Sequence, residues 1–336
     1  MQAYQLTRPE IAGLIRTELP DPHPGSGEVL VRLRAASLNY LDLAVARGDF
    51  GEGAFPMIPV TDGAGEVAAL GEGVTGWSVG DRVVPHFMVD WTGGAMTARA
   101  TQRLRGVSMP GSAADYAVVP AASLVAVPPH LSFVEAATLP IAATTAWNAL
   151  RTAGIGPGST VALLGTGGVS LFALQLAKAA GARVMIISGS DEKLERARAL
   201  GADEAINYAA TPAWDGEMLR LTGGAGADLV IETVGPATFG RSLNAAAVNG
   251  TVMVVGFVSG MEVSVPVLQV MTKRLRVFGS NTGSVESFAE ALRAIGMAGI
   301  RPVVDRIFGF DEVPAAYAEL SRAGHFGKLA IDLMAR

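Results

Sequence analysis

The chain has 336 residues, half of them apolar, with a formal net charge of −5 and a pI near 5.5. That length supports roughly two domains with cores of their own, and an acidic balance without a Lys/Arg-rich run argues against nucleic acid and anionic membranes, leaving a small-molecule partner. The absence of cysteine excludes disulfides, thiolate metal sites and a cysteine nucleophile.

The four histidines, His23, His86, His130 and His325, show no H-x-x-x-H or H-E-x-x-H spacing, so no histidine-based metal site is expected. No run of roughly 18 uncharged apolar residues escapes Gly, Pro or Asn, and MQAYQLTRPE offers no basic or apolar leader, so a cytoplasmic protein is expected.

In chain order, EVLVRLRAASL (28–38), AGEVAAL (64–70), DRVVPHF (81–87) and ADYAVVPAASLVAV (114–127) are short runs separated by turn-rich PDPHPGSGE and GEGVTGWSVGD. They predict an antiparallel β domain. Segment 88–112 has no period and reads as a long loop. From residue 133 the texture changes. FVEAATLPIAATTAWNALRTAG predicts a helix, TVALLG a strand, GVSLFALQLAKAAGA a helix, RVMIIS a strand, DEKLERARALGA a helix, EAINY a strand and TPAWDGEMLRLTGG a helix. ADLVIETVG, ATFGRSLNAAAVNG and TVMVVGF then form a strand–helix–strand unit. This alternation is that of an α/β fold with a doubly wound parallel sheet. After RLRVFGS, the pieces SVESFAEALRAIGMAG, VVDRIFGF, DEVPAAYAELSRAG and KLAIDLM cannot bury a core alone and are expected to return to the first domain. The expected partition is 1–132 with 279–336, and 133–278.

Gly165-Thr166-Gly167-Gly168-Val169-Ser170 follows a predicted strand and opens a predicted helix, the setting in which glycines let backbone approach a pyrophosphate at a helix N-terminus. The G-x-G-x-x-G pattern fails at its last position, Ser170. At the end of the next strand, where an acid would accept from an adenosine ribose and repel a 2′-phosphate, the chain has Ser188-Gly189-Ser190, with Lys193 one turn on. These favour NADPH over NADH, while Ser-Gly-Ser-Asp also reads as a plain helix cap with Asp191 near the positive end.

Several stretches in order, SLNYLDLAVARGDF (37–50), PMIPVTDGAGEVAALGEGVTGWSVGDRVV (56–84), LPIAATTAWNAL (139–150), the glycine segment, EKLERARALGADEAINY (192–208), GADLVIETVG (226–235) and GHFGKLAI (324–331), resemble the medium-chain dehydrogenase/reductase superfamily, specifically its zinc-free quinone oxidoreductase branch. The resemblance implies a GroES-like, partly open β-barrel domain and a Rossmann domain, with the active site in the cleft between them. It matches the catalytic zinc ligands of metal-dependent members to Asn39, Thr61 and Ile141, which make no zinc site, and the structural zinc lobe to 88–112.

Without a Lewis acid, the resemblance implies an NADPH-dependent reductase of a quinone or α,β-unsaturated carbonyl, whose conjugation spreads the delivered charge. Asn39 and Tyr40 are the expected donors to the developing oxyanion, with Tyr40 also a pocket-lining candidate and Asp42 a structural acceptor. Carried over for the cofactor are Thr145 near the nicotinamide, Gly165, Gly167, Gly168 and Val169 at the pyrophosphate, and Ser188, Ser190, Lys193 and Tyr208 around the adenosine phosphate. Gly256, Phe257 and Asn281 flank the nicotinamide ribose, and Lys328 reaches the cofactor phosphates. A zinc-free alcohol or ketone oxidoreductase and a non-catalytic cofactor-binding protein are the alternatives. A homodimer is expected, with SVPVLQVM (264–271) as its contact.

Overall fold

A computed structural model describes residues 1–51 and 55–336. The chain divides into Met1–Thr144 with Gly283–Arg336, and Thr145–Thr282. In chain order the first unit begins with β1 (Gln2–Leu6), β2 (Leu14–Glu18), β3 (Glu28–Leu38), α1 (Tyr40–Arg47), β4 (Asp62–Leu70), β5 (Arg82–Pro85), β6 (Tyr116–Pro120), β7 (Leu124–Ala126) and α2 (Phe133–Ala136). The division falls inside α3 (Ala142–Ala153). The second unit continues with β8 (Thr160–Leu164), α4 (Gly168–Ala179), β9 (Arg183–Ser188), α5 (Asp191–Ala199), β10 (Glu204–Asn207), α6 (Trp214–Leu221), β11 (Ala227–Glu232), α7 (Pro236–Ala245), β12 (Ala246–Val254), α8 (Val267–Thr272) and β13 (Arg276–Gly279). The chain then returns to the first unit with α9 (Val285–Ala298), β14 (Val304–Gly309), α10 (Val313–Arg322) and β15 (Lys328–Asp332).

In the first unit, β3 is the hub. It pairs antiparallel with β4, β6 and β15, within a sheet ordered β14-β15-β3-β4-β5-β7 among the described residues. Its alternation sends Val29, Val31 and Leu33 into a core shared with Phe308, Phe310, Tyr317 and Ile331. The closing strand KLAIDLM therefore lies inside this sheet, between β14 and β3. The β1–β2 hairpin has no counterpart in the sequence reading, because its strands are short and Leu14–Glu18 is mostly exposed.

The single helix expected from 133 is two. Pro140 lacks an N–H and pushes Leu139 out of the helical region, so α2 ends at Ala136 and α3 starts at Ala142. Because α2 packs on β3, β4 and β15, the segment 133–144 joins the first unit.

The second unit holds a parallel sheet ordered β10-β9-β8-β11-β12-β13. Its strands are apolar runs, and Leu164, Ile187, Val230 and Val252 join Phe239 and Leu243 in the core. β12 begins at Ala246, inside the stretch predicted as helix, because Gly250 fits where a Cβ would meet Ala247 O at 2.8 Å and Ala227 O at 2.9 Å. Strand order reverses between β8 and β11, the switch point where such sheets bind ligands at their carboxyl ends.

Candidate functional site

Two polar constellations stand out, one in each unit. In the second unit, β8 ends at Leu164 and the chain turns through Gly165, whose φ of 72° suits glycine. Gly167 is the N-cap of α4 and supplies no side-chain cap, so the first amides of a 12-residue helix keep their hydrogens for an outside acceptor. Space within 4 Å of a Cβ at Gly165 or Gly167 is open. Such a cradle fits the pyrophosphate of a dinucleotide. Ser170, the break in the glycine pattern, is buried and donates to Leu164 O at 2.8 Å.

The other cofactor candidates follow the same carboxyl ends. Ser188 closes β9 and is buried. Ser190 caps α5 by accepting from Lys193 N at 3.4 Å, and Asp191 accepts from Asn207 Nδ2 at 2.7 Å, so the capping reading of this turn holds. The Ser190 hydroxyl proton is not consumed by that cap. Exposed Tyr208 lies against Gly189, where a Cβ would come within 2.7 Å of the phenol oxygen. Gly256 and half-buried Phe257 follow β12, and Asn281 follows β13. At Gly256 a Cβ would sit 1.8 Å from Thr233 O, so only glycine fits. Thr145 is buried on α3.

Sequence reasoning missed Glu232. Fully buried at the end of β11, it accepts from Val234 N, Gly235 N, Thr238 Oγ1 and Ser242 Oγ, while its carbonyl takes Val255 N and Gly256 N. The signal available was an acid closing the otherwise apolar strand ADLVIE.

In the first unit, Asn39, Thr61, Asp62, Asp42 and Lys328 form a buried cluster. Asn39 Nδ2 donates to Thr61 Oγ1 at 3.1 Å and Asp62 Oδ2 at 2.8 Å. Lys328 Nζ donates to Asn39 Oδ1 and Leu38 O, both at 2.6 Å, and lies 4.0 Å from Asp62. Asp42 accepts from Asn39 N and Thr61 N, both at 2.7 Å. These bonds hold the turn before β4, where buried Val60 adopts a φ of 73°, a strained conformation for a β-branched side chain. Ile141 N donates to Asp62 Oδ2 at 3.4 Å, so two of the three positions matched to zinc ligands, Asn39 and Ile141, bond the Asp62 carboxylate, while Thr61 bonds Asp42.

Burial raises Asp42 to about 7 and Asp62 to about 6, the latter restrained by Lys328, and burial lowers Lys328. Arg105, also missed, is fully buried in the 88–112 segment. It donates to Ser112 Oγ at 2.8 Å, and burial lowers it to about 10 while the Asp62 carboxylate opposes the shift. No sequence pattern marks it, since its partners come from other turns.

Two expected roles fall on groups already bonded within this cluster. Asn39 was expected to donate to a substrate oxyanion, but both amide hydrogens are committed to Thr61 and Asp62. Lys328 was expected at the cofactor phosphates, but its ammonium is buried against Leu38 O and Asn39 Oδ1. Tyr40 opens α1, half-buried against the core.

Residues 25–129 match the alcohol dehydrogenase GroES-like domain and residues 168–296 the zinc-binding dehydrogenase domain. The chain belongs to the medium-chain dehydrogenase/reductase superfamily. It is 42% identical over 316 residues to the zinc-type alcohol dehydrogenase-like protein of Schizosaccharomyces pombe, covering 91% of each chain. It is 31% identical to the acryloyl-coenzyme A reductase of Metallosphaera sedula, covering 94% of this chain and 95% of that one. A solved structure from Sinorhizobium meliloti 1021, described as an alcohol dehydrogenase, superposes with a TM-score of 0.92 at 40% identity, covering 98% of both chains.

This superfamily is one of nicotinamide-dinucleotide oxidoreductases, and the open glycine cradle fits that cofactor. The zinc in the domain's name does not fit the residues at its three positions. Ile141 brings no donor atom, the Asn39 oxygen is held by an ammonium, and a dication there would face that ammonium and the amide hydrogens.

Proposed function

We propose that this oxidoreductase is an NADPH-dependent, metal-independent reductase that transfers hydride to a quinone or an α,β-unsaturated carbonyl. The observation that carries the reading is the self-satisfied Asn39–Asp62–Lys328 cluster at the positions matched to zinc ligands. Alcohol oxidation in metal-dependent relatives needs an alkoxide made accessible by a Lewis acid. A conjugated acceptor takes hydride at carbon while its oxygen gathers charge gradually, which one hydrogen-bond donor can assist.

When bound, the nicotinamide supplies the hydride. The Tyr40 hydroxyl is the donor we assign to the acceptor oxygen, and the amides of Gly168 and Val169 hold the pyrophosphate. Ser188, Ser190, Lys193 and Tyr208 form the 2′-phosphate pocket, supported by the absence of an acid at the end of β9. The acryloyl-coenzyme A reductase relative is named for reducing an activated alkene, which agrees with this acceptor class. The active species is a homodimer. The exposed side chains of Val267, Leu268 and Met271 on α8, with Val277 and Phe278 on edge strand β13, supply the apolar face.

The test is NADPH oxidation with 1,2-naphthoquinone, an enone and a simple ketone, before and after chelator treatment, with the zinc content of the purified protein measured. Chelator-insensitive turnover of the quinone or enone is expected. Turnover of the ketone or its alcohol alone would replace this reading with an alcohol oxidoreductase. Tight NADPH binding without turnover would make the protein a cofactor binder.

A further inference from the structure

The carbonyl oxygen of Leu164 is the last acceptor of β8 before the glycine turn, and two hydroxyls converge on it. Ser170 Oγ reaches it from the first turn of α4 and Thr233 Oγ1 from the turn after β11, each at 2.8 Å. The backbone ladder between β8 and β11 has its last paired residues at Leu163 and Ile231, so the Thr233 side chain continues the connection past the end of the ladder. On the other side, Thr233 O stands where a Cβ at residue 256 would be, 1.8 Å away, locking it to the turn after β12. Ser170 is 1% exposed and carries a hydroxyl where the regular glycine pattern has none.

We propose that Ser170 and Thr233 are positioning residues for the dinucleotide: by clamping Leu164 O from two sides they fix the 165–169 turn in the conformation that presents its amides to the pyrophosphate. A glycine at 170 would satisfy the spacing rule and lose half the clamp. The serine is a functional substitution in this chain. The proposal rests on the dinucleotide reading of this unit. Neither hydroxyl is assigned a contact with the cofactor; both act through the Leu164 carbonyl.

The test compares wild type with Ser170→Gly, Ser170→Ala, Thr233→Val, Thr233→Ser and the double variant Ser170→Ala/Thr233→Val. Dissociation constants for NADPH and NADH are read by fluorescence well below each variant's melting temperature. Amide hydrogen exchange of residues 165–169 is read in the cofactor-free protein. Losing one hydroxyl is expected to weaken both cofactors by about three- to tenfold, the size of one neutral hydrogen bond. The NADPH/NADH ratio should not change, since the clamp lies away from the 2′-phosphate pocket. The double variant should weaken further, Thr233→Ser should bind like wild type, and exchange at 165–169 should quicken in the hydroxyl-free variants. The proposal is overturned if Ser170→Gly binds as tightly as wild type, or if the variants melt earlier while affinity and local exchange are unchanged, which would make the hydroxyls purely structural. A wild type that binds neither dinucleotide would instead overturn the cofactor reading and this proposal with it.

Discussion

Lys328 donates to the amide oxygen of Asn39 at 2.6 Å from a strand 289 positions away, and this bond decides which way the Asn39 amide faces. With its oxygen held by the ammonium, the NH2 group must turn toward Thr61 and Asp62. Lys328→Met keeps much of the volume but leaves the Asn39 oxygen unpaired and Asp62 without its nearest counter-charge. Breaking one member of a buried charged cluster costs about 3–5 kcal/mol. Urea denaturation should show a loss of that size, and a midpoint within error of wild type would refute the role given to Lys328.

Asp62 sets a pH signature. Its folded pKa of about 6 lies above the ordinary 3.8, so the stability associated with its protonated form is complete below about pH 4 and is lost as pH rises through 6. Asp42, at about 7, acts in the same direction. His86, buried and lowered to about 4 by desolvation, acts oppositely: its contribution is complete above pH 6.5 and is lost as pH falls through 4. In Asp62→Asn the acceptor at Oδ2 is kept while the titration is removed. The variant should therefore gain on wild type between pH 4 and 6, by at most about 1.4 kcal/mol per pH unit. Parallel stability curves across that interval would contradict the assignment.

Gly256→Ala tests the junction of β11 and β12. Its methyl would land 1.8 Å from the Thr233 carbonyl oxygen, closer than any real contact, so backbone must move. A fall of about 3 kcal/mol or more is expected, above the common range for point changes. Gly167→Ala, with open space around its Cβ, should fold normally and serves as the comparison in the same melting experiment.

Much of the second unit was legible because its strands are apolar runs bounded by glycine turns, and its helices repeat apolar residues at helical spacing. GTGG at the end of TVALL is a local signal, and the structure places it at a switch point. The first unit was legible as an antiparallel β domain to which the C-terminal pieces return, but not in its polar contacts. Its site depends on Asn39, Thr61, Asp62, Arg105, Ile141 and Lys328, which come from separate segments and share no periodicity. Tertiary pairing also decided what spacing could not: that Asn39 has no donor to spare, and that Lys328 spends its charge inside its own unit.

Cofactor preference is testable at one residue. Ser188→Asp places a carboxylate at the end of β9, where it can accept from ribose hydroxyls and repel a 2′-phosphate. The ratio of kcat/KM for NADPH over NADH should fall by about tenfold or more, one like-charge contact being worth at least ~1.4 kcal/mol here. An unchanged ratio would mean that the phosphate is read elsewhere.

The interlocked bonding around Asp62 also means that no single replacement turns this cluster into a metal site. Replacing Asn39 by cysteine would take away the amide donor to Asp62 and the amide oxygen that Lys328 holds, while Ile141 would still lack a ligand atom. That change alone leaves the Asp62 carboxylate short of a donor without completing a ligand set, and groups bonded in one network respond to replacement non-additively.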